Sequence, residues 1–163
     1  MILNAPESLD VLKKYPKKVK IFLGGSVVNE PNNWQNRVIE ELQEEFHDRV
    51  LILNPRRDDW DSSWKEIKED QKFREQVEWE LKAQDICDIN VYYFHPDSKS
   101  PITLLELGLF IEKKPIIYCP KGFWKKGNVD IVCEKYNVPL YEDEYEWIDA
   151  IKNKIKEKLE TKE

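Results

Sequence analysis

Residues 100–110 have the sequence SPITLLELGLF, and the interpretation of the rest of the chain starts from this stretch. Pro101 and Thr103 are typical of the first turn of a helix. The predicted helix is apolar on nearly every side, which predicts that it is buried. Glu106 is the exception, and no Lys or Arg lies three or four positions from it. An unpaired buried carboxylate is costly, so Glu106 is a candidate catalytic residue; a Glu that reaches solvent or bonds a backbone amide is the alternative.

Short apolar runs alternate with helical patterns along the chain, which favours a three-layer α/β fold with parallel strands and right-handed crossovers. We predict a Rossmann/flavodoxin-like single domain over residues 1–163, with about five strands in the order 2-1-3-4-5. The predicted strands are residues 19–23, 50–53, 89–94, 115–118 and, more weakly, 138–141. The remaining segments are a loose or short-helical lead-in over 1–17, helices near 34–46, 65–84 and 128–136, and a C-terminal helix over 144–163.

Composition narrows the class of protein. The chain has 163 residues, 40% hydrophobic and 36% charged, which fits one folded domain. A net charge of -6 argues against a partner that is a nucleic-acid polymer. There is no apolar signal core and no run long enough to cross a membrane. Three cysteines without metal-like spacing favour a reducing compartment, so we predict a cytoplasmic protein with no membrane partner.

Unusual polar residues follow the predicted strands, and in open parallel sheets ligands bind beyond the carboxyl ends of the strands. Gly25 and Ser26 follow the first strand, where backbone amides would meet a phosphate or a sugar hydroxyl; an ordinary turn is the alternative. The loop at 56–64 holds two Arg, three Asp and two Trp. Its indoles offer a surface for stacking a nucleobase, and its carboxylates accept hydrogen bonds from ring nitrogens. A self-paired surface loop is the alternative.

Other candidates are weaker when taken alone. Glu80 is interpreted as an exposed helix acid, and Trp124 as a lid residue or an oligomer contact. His95 has no partner motif and is interpreted as a loop residue. The three cysteines show no arrangement typical of a thiol nucleophile, so we expect them in the core.

Several motifs together resemble the nucleoside 2-deoxyribosyltransferase family, and most closely its branch of short proteins with an Asn-Pro-Arg-Arg loop. The resemblance covers about residues 18–142. The motifs are FLGGS at 22–26, NPRRDDWD at 54–61, SPITLLELG at 100–108, GFW at 122–124 and GNV at 127–129. The resemblance implies a transferase in nucleoside metabolism and nucleotide salvage.

The resemblance also implies roles for individual residues. Glu106 matches the nucleophile, and Ser100, six positions earlier, matches a polar residue that contacts the sugar. Glu80 matches an upstream acid that holds the sugar or handles the leaving base, which replaces its interpretation as an exposed acid. Phe22 stands where family members often carry a Tyr. Asn128 is a candidate counterpart of an Asn that a neighbouring subunit contributes in some members.

The expected chemistry is transfer of a 2-deoxyribosyl group through a covalent intermediate on Glu106. A helix N-terminus favours the ionised carboxylate that attacks C1′. Asp61 or Asp59 is the predicted acid that protonates the departing base. Arg57, Asp59, Trp60, Trp124 and Asn128 complete the predicted substrate contacts. The reaction needs no metal or redox cofactor, and its partners are a small 2′-deoxynucleoside and a free nucleobase.

Two alternatives remain open from the sequence. The first is hydrolysis of 2′-deoxynucleosides or their 5′-monophosphates, with Arg56, Arg57, Ser26 and Ser100 as phosphate contacts. The second is a non-catalytic module that senses nucleotides. The amphipathic last helix and the many tryptophans further predict a homodimer or a larger homo-oligomer.

Overall fold

A computed structural model of the chain describes residues 1–27, 33–57 and 59–162. It contains one six-stranded sheet in which every strand pair is parallel, in the order β1-β3-β2-β4-β5-β6. The predicted three-layer α/β architecture and the relative order of the five predicted strands are confirmed. The strands are β1 (Ile2–Asn4), β2 (Val19–Gly25), β3 (Val50–Asn54), β4 (Ile89–Tyr93), β5 (Ile116–Tyr118) and β6 (Leu140–Tyr141). The helices are α1 (Trp34–Phe46), α2 (Gln71–Ile86), α3 (Pro101–Phe110), α4 (Lys126–Tyr136) and α5 (Glu144–Glu160).

The strand count of five was wrong, because the start of the chain is part of the sheet. Residues 2–4 form β1, which pairs with β3 so that Ile2 lies opposite Ile52 and Asn4 opposite Asn54. A 3₁₀ helix over Leu9–Lys14 follows and packs Leu9 and Leu12 into the core. A three-residue strand is too short to show an alternating pattern, so β1 has no recognisable signal in the sequence.

The helices divide between the two faces of the sheet. α1 and α5 pack on one face, and α2, α3 and α4 on the other. The predicted apolar stripes of α1 and α5 are buried. Trp34 of α1 and Trp147 of α5 meet Tyr93 of β4 there, with ring centroids 4.9 and 5.5 Å away. Within the described residues, no helix combines the length and the apolar character needed to cross a bilayer.

α2 begins later than predicted and buries a different face. Asp70 caps it, because one carboxylate oxygen accepts from the backbone N–H groups of Lys72 and Phe73, so the helix begins at Gln71 rather than near residue 65. The residues that the structure buries are Gln76, Trp79, Ala83 and Gln84. Val77 and Leu81, which formed part of the predicted apolar stripe, are more than one third exposed.

α3 begins with Pro101 in its first turn, as predicted, but the prediction that the whole helix is buried was wrong. Thr103, Glu106 and Leu107 are buried against the protein. On the opposite side Ile102, Leu105 and Leu109 are 59%, 61% and 58% exposed. A helix packed on one face of a sheet has only one covered side, and no described residue covers the other side of α3.

The end of β2 requires a glycine at position 25. Gly25 has φ +155°, and a Cβ there would lie 2.5 Å from the carbonyl oxygen of Tyr93 and 2.9 Å from Cζ2 of Trp34. Both neighbours belong to the packed core, so neither moves easily. This close approach brings the end of β2 against the end of β4.

We expect Gly25→Ala to lower the free energy of unfolding by about 2–4 kcal/mol, through backbone strain and overpacking. Gly127→Ala is the matched control, because no atom lies within 4 Å of its added Cβ in α4. That control should raise the free energy by about 0.5 kcal/mol. Urea denaturation of both variants measures the difference, and equal effects would contradict the packing argument.

Candidate active site

The candidate site lies where the carboxyl ends of β2 and β4 meet. β2 continues to α1 on one face of the sheet, and β4 continues to α3 on the other face. Neighbouring strands whose connections leave in opposite directions open a crevice between them, which is the usual ligand position in this architecture. Ser26 follows β2 directly, and Ser100 stands just before α3.

Ser26 holds the two strand ends together. Its backbone N–H donates to the carbonyl oxygen of Tyr93 at 2.9 Å, and its Oγ accepts from the backbone N–H of His95 at 2.8 Å. Its hydroxyl also lies 2.5 Å from the hydroxyl of Ser100. Ser26 is almost fully buried, so these internal bonds occupy it. The structure therefore gives Ser26 the geometry of a positioning residue rather than of a direct ligand contact.

Ser100 has a strained backbone at the start of α3. Its φ of 47° lies in the left-handed region, and its side chain does not cap the helix although serine is a favoured capping residue. The hydroxyl instead bonds the hydroxyls of Ser26 and Ser98, the latter at 2.9 Å. Strain of this kind persists only where the surroundings enforce it, and it clusters at functional sites.

Glu106 lies on the buried side of α3 and is 6% exposed. Its carboxyl group interacts with the side chains of Glu80 and Gln84 on α2, which both affect its pKa. The alternative of a carboxylate that reaches solvent is therefore excluded. Two acids from different helices thus meet, with Glu106 buried and Glu80 half-buried beside it.

Burial raises the pKa of Glu106 to about 8, with the charge of Glu80 as the second cause. Burial also raises the pKa of Glu80, against hydrogen bonds from Gln76 and Glu106 that lower it. Two carboxyls in contact titrate together, and near neutral pH this pair retains one proton. Burial and the neighbouring Glu80 thus act against the expected ionised carboxylate, and Glu106 lies in the second turn of α3, beyond the first turn where a helix dipole is strongest.

Gln76 is a site residue that the sequence argument missed. Its Nε2 donates to Oε1 of Glu80 at 2.5 Å and to the carbonyl oxygen of Pro55 at 2.9 Å. It therefore joins the acid pair to the loop after β3. The signal was present as polar residues at 76, 80 and 84, spaced by four on one helix. The apolar residues at 73, 77 and 81 have the same spacing, so the neighbouring face of α2 was predicted to be the buried one.

The loop at 56–64 is largely paired with itself. Arg57 donates to both carboxylate oxygens of Asp59 at 2.9 and 2.8 Å, and its guanidinium lies 4.9 Å from the ring centre of Trp64. Trp60 meets Trp64 edge to face at 5.0 Å. Asp58 of this loop lies outside the described residues. The contacts favour the alternative of a self-paired loop for Arg57, Asp59 and Trp60.

Asp61 is exposed and has a local structural partner. Its Oδ1 accepts from the backbone N–H of Ser63 at 2.8 Å, and this bond lowers the pKa of Asp61. A carboxyl group with a lowered pKa is ionised near neutral pH and is a poor proton donor. The contacts of the described residues do not join Asp61, or Asp59, to Glu106.

Trp124 and Asn128 follow β5 on the same edge of the sheet. The Trp124 indole N–H donates to the carbonyl oxygen of Lys99 at 2.8 Å, so Trp124 anchors the segment that leads into Ser100. Asn128 lies on an exposed side of α4. Among the described contacts, neither residue reaches Glu106.

A cavity of about 730 Å³ opens beside the loop after β3 and the start of α1. Asn54, Arg56, Arg57 and Asp59 line it, together with polar residues of α1. Its lining does not include Glu80 or Glu106. The acid pair, rather than this cavity, is the candidate reactive centre, because among the described residues these are the carboxyl groups whose pKa values are raised by removal from water.

Comparison with known families supports the resemblance that the motifs indicated. A family model described as "Nucleoside 2-deoxyribosyltransferase like" matches residues 18–123. The matched range includes Glu80, Ser100, Glu106 and the loop after β3, and it ends just before Trp124. No curated protein matches the chain.

The acid pair should make the protein less stable as the pH rises. The folded-state pKa of Glu106, about 8, exceeds its ordinary value of 4.5, so the folded state binds more protons between these values. We expect Glu106→Gln to remove this loss. The free energy of unfolding of the variant, relative to that of the wild type, should be about 2–4 kcal/mol higher at pH 9 than at pH 5.

Urea denaturation from pH 5 to 9 measures the effect. Glu112→Gln is the control, because it removes an exposed carboxyl group close to the end of α3. Parallel stability profiles for Glu106→Gln and the wild type would show that the carboxyl group is not desolvated.

Proposed function

The chain belongs to the nucleoside 2-deoxyribosyltransferase-like family, and we propose that it transfers the 2-deoxyribosyl group of a 2′-deoxynucleoside from one nucleobase to another. The observation that carries this proposal is the contact between the buried Glu106 and the half-buried Glu80, which brings a carboxylate and a proton donor together. Cleavage of an N-glycosidic bond with a carboxylate nucleophile requires both groups.

In the first step, Glu106 attacks C1′ as the C1′–N bond breaks, and the bonding electron pair leaves with the nucleobase. The base takes up a proton, and the sugar becomes an ester of Glu106. A second nucleobase then attacks C1′, releases the Glu106 carboxylate and loses its own proton. Two inversions at C1′ retain the configuration. The oxocarbenium-like transition state gains stability from the nearby carboxylate.

Glu80 is the proton donor in this proposal. It lies beside Glu106, and burial raises its pKa, so it is able to hold the proton that Glu106 must lose before attack. Proton transfer to the departing base leaves Glu80 charged, and the acceptor base returns the proton. Asp61, the donor predicted from the sequence, is exposed and has a lowered pKa. We therefore assign Asp61 at most a base-side contact.

Ser100 contacts the sugar in this proposal, because its hydroxyl is held in place at the start of the helix that carries Glu106. Water in place of the second base would hydrolyse the same intermediate, so hydrolysis remains the closest alternative. A 5′-monophosphate substrate has less support, since Asp59 already neutralises the Arg57 guanidinium. The three cysteines are buried free thiols, which agrees with the proposed cytoplasmic location.

Incubation with a 2′-deoxynucleoside and a different free base should yield the exchanged nucleoside, which chromatography detects. We expect Glu106→Ala to abolish exchange, and Glu80→Gln to lower kcat by about 10²–10⁴-fold, since general acid catalysis contributes that much. Asp61→Asn is the matched control and should retain most of the wild-type kcat.

The outcomes separate the candidate functions. Base release without exchange indicates a hydrolase. Faster release from a 5′-monophosphate than from the nucleoside would indicate that the monophosphate is the substrate of that hydrolase. Nucleotide binding without base release, unchanged in Glu106→Ala, indicates a sensing module. A larger loss in Asp61→Asn than in Glu80→Gln would return the acid role to Asp61.

We also propose that the protein is a homo-oligomer whose interface includes the exposed side of α3. Ile102, Leu105 and Leu109 form an apolar stripe there, and Gly108 leaves space beside it, because no atom lies within 4 Å of a Cβ built on it. A small residue within an apolar stripe allows a second helix to approach closely. Of the features that first suggested association, the apolar face of the last helix and three of the tryptophans are buried inside the fold, whereas Trp60 and Trp124 are about half exposed.

Light scattering should report a dimer or a larger species for the wild type. Leu105→Glu should dissociate it, because a charge in an apolar interface is not compensated. Tyr145→Glu, an equally drastic change at an exposed residue of α5, is the control and should leave the mass unchanged. A monomeric wild type at micromolar concentration would contradict the proposal.

A further inference from the structure

A buried polar cluster lies directly behind the acid pair. Gln84 of α2, Asn90 and Tyr92 of β4, and Cys87 between them are all buried. Burial of this many polar groups is tolerated only if they are hydrogen-bonded. The Cys87 thiol donates to Oδ1 of Asn90 at 2.8 Å, and Nδ2 of Asn90 donates to the main-chain carbonyl of Gln84 at 3.2 Å. The cluster thus fixes the backbone of Gln84.

Tyr92 determines which way the Gln84 amide faces. The Tyr92 hydroxyl donates to Oε1 of Gln84 at 2.5 Å, and this oxygen is its acceptor in the described part of the chain. Burial raises the pKa of Tyr92, so the hydroxyl keeps its proton and remains a donor. The opposite amide orientation would put N–H against the phenol oxygen and leave the phenol proton without an acceptor.

With Oε1 fixed on Tyr92, the Gln84 NH₂ group faces the acid pair. Its Nε2 donates to the main-chain carbonyl of Glu80 at 3.2 Å, and the same side chain acts to lower the pKa of the Glu106 carboxyl group. A hydrogen bond donated to a carboxylate favours its charged form. Of the groups around Glu106, Glu80 and burial oppose ionisation, and Gln84 favours it.

The segment after α3 also holds Gln84. Lys113 lies just beyond that helix, and its ammonium donates to the main-chain carbonyls of Gln84 at 2.7 Å and Cys87 at 3.3 Å. A lysine at these carbonyls satisfies the C-terminal end of α2. The two helices that carry the acids are therefore linked both through Gln84 and through Lys113.

We propose that Gln84 is a positioning residue that orients Glu106 and stabilises its carboxylate for attack, and that Tyr92 acts through Gln84 by fixing the orientation of its amide. The inference rests on the proposed function only in treating Glu106 as the nucleophile. The hydrogen bonds from Tyr92 to Gln84 and from Gln84 to the main-chain carbonyl of Glu80 stand on their own geometry. Among the described residues, Glu80, Cys87, Tyr92 and Lys113 are the titratable groups that face this chain, from α2, the segment after α2, β4 and the segment after α3.

Gln84→Met keeps the volume and removes the donor, whereas Tyr92→Phe keeps the ring and frees the amide to rotate. For Gln84→Met we expect the acid limb of the kcat/KM profile to move up by about one pH unit, with about a tenfold lower rate at pH 7. Tyr92→Phe should shift the limb in the same direction by less. The double variant should match Gln84→Met alone, because Tyr92 has no effect once the amide is gone.

A direct titration separates this inference from the proposed function. NMR of protein labelled with ¹³C at the glutamate carboxyls, with Glu106 assigned through Glu106→Gln, measures the same shift whether or not the protein turns over substrate. Cys133→Ala is the control, since it removes a buried thiol of α4 that has no hydrogen bond to Gln84, Asn90 or Tyr92 among the described contacts; it should leave the Glu106 titration unchanged.

An unchanged Glu106 titration in both Gln84→Met and Tyr92→Phe would overturn the proposal. A shift in Tyr92→Phe that adds to that of Gln84→Met would overturn the part that assigns Tyr92 an indirect role. If Gln84→Met does not fold, Tyr92→Phe alone decides, because it leaves the buried volume nearly intact.

Discussion

The contact between two carboxyl groups that are largely removed from water, Glu106 buried and Glu80 half-buried, is the constraint on which the site depends. Glu106 and Glu80 come from different helices, and their common burial disfavours full ionisation. Isolated charges there would be very costly, so the protein keeps a proton on the pair and surrounds it with amide donors from Gln76 and Gln84. Carboxyl groups removed from water lower the folding stability but provide reactive groups, a trade-off that is common in active sites. In the proposed reaction, the proton that Glu106 must lose before attack is the one that Glu80 donates to the departing base.

The sheet positions this pair through short connections. β2 and β4 are neighbours, and Ser26 bonds the backbone at the end of β4 while its hydroxyl meets that of Ser100. Ser100 begins α3, so the position of the Glu106 helix is tied to the strand ends rather than to a long loop. Gly25 allows the two strand ends to pack closely. The backbone geometry that seemed to mark a phosphate loop therefore serves to fix a helix.

The sequence predicted the parts of the fold that depend on long apolar patterns. Five strands and the faces of α1 and α5 follow from periodicity, and parallel pairing follows from the crossover rules, whereas the strand order was suggested by the number of strands alone. β1 was missed because three residues carry no pattern, and α2 was misassigned because its buried face contains Gln76 and Gln84. Glu106 was found from its apolar surroundings. Glu80 required the family resemblance, and the glutamines were missed because a buried polar residue is recognised only when its partners are known.

The two sides of α3 connect catalysis with assembly. Glu106 and Leu107 face the protein, whereas Leu105 and Leu109 face outward, so one ten-residue helix carries both the proposed nucleophile and the proposed interface. An apolar stripe that remains in water stabilises nothing, and a partner that covers it would hold the helix more firmly against α2. Because the pKa of Glu106 depends on its distance from Glu80 and Gln84, a firmer contact between α3 and α2 also fixes the protonation of the acid pair. The exposed side of the helix thus bears on the chemistry of the buried side.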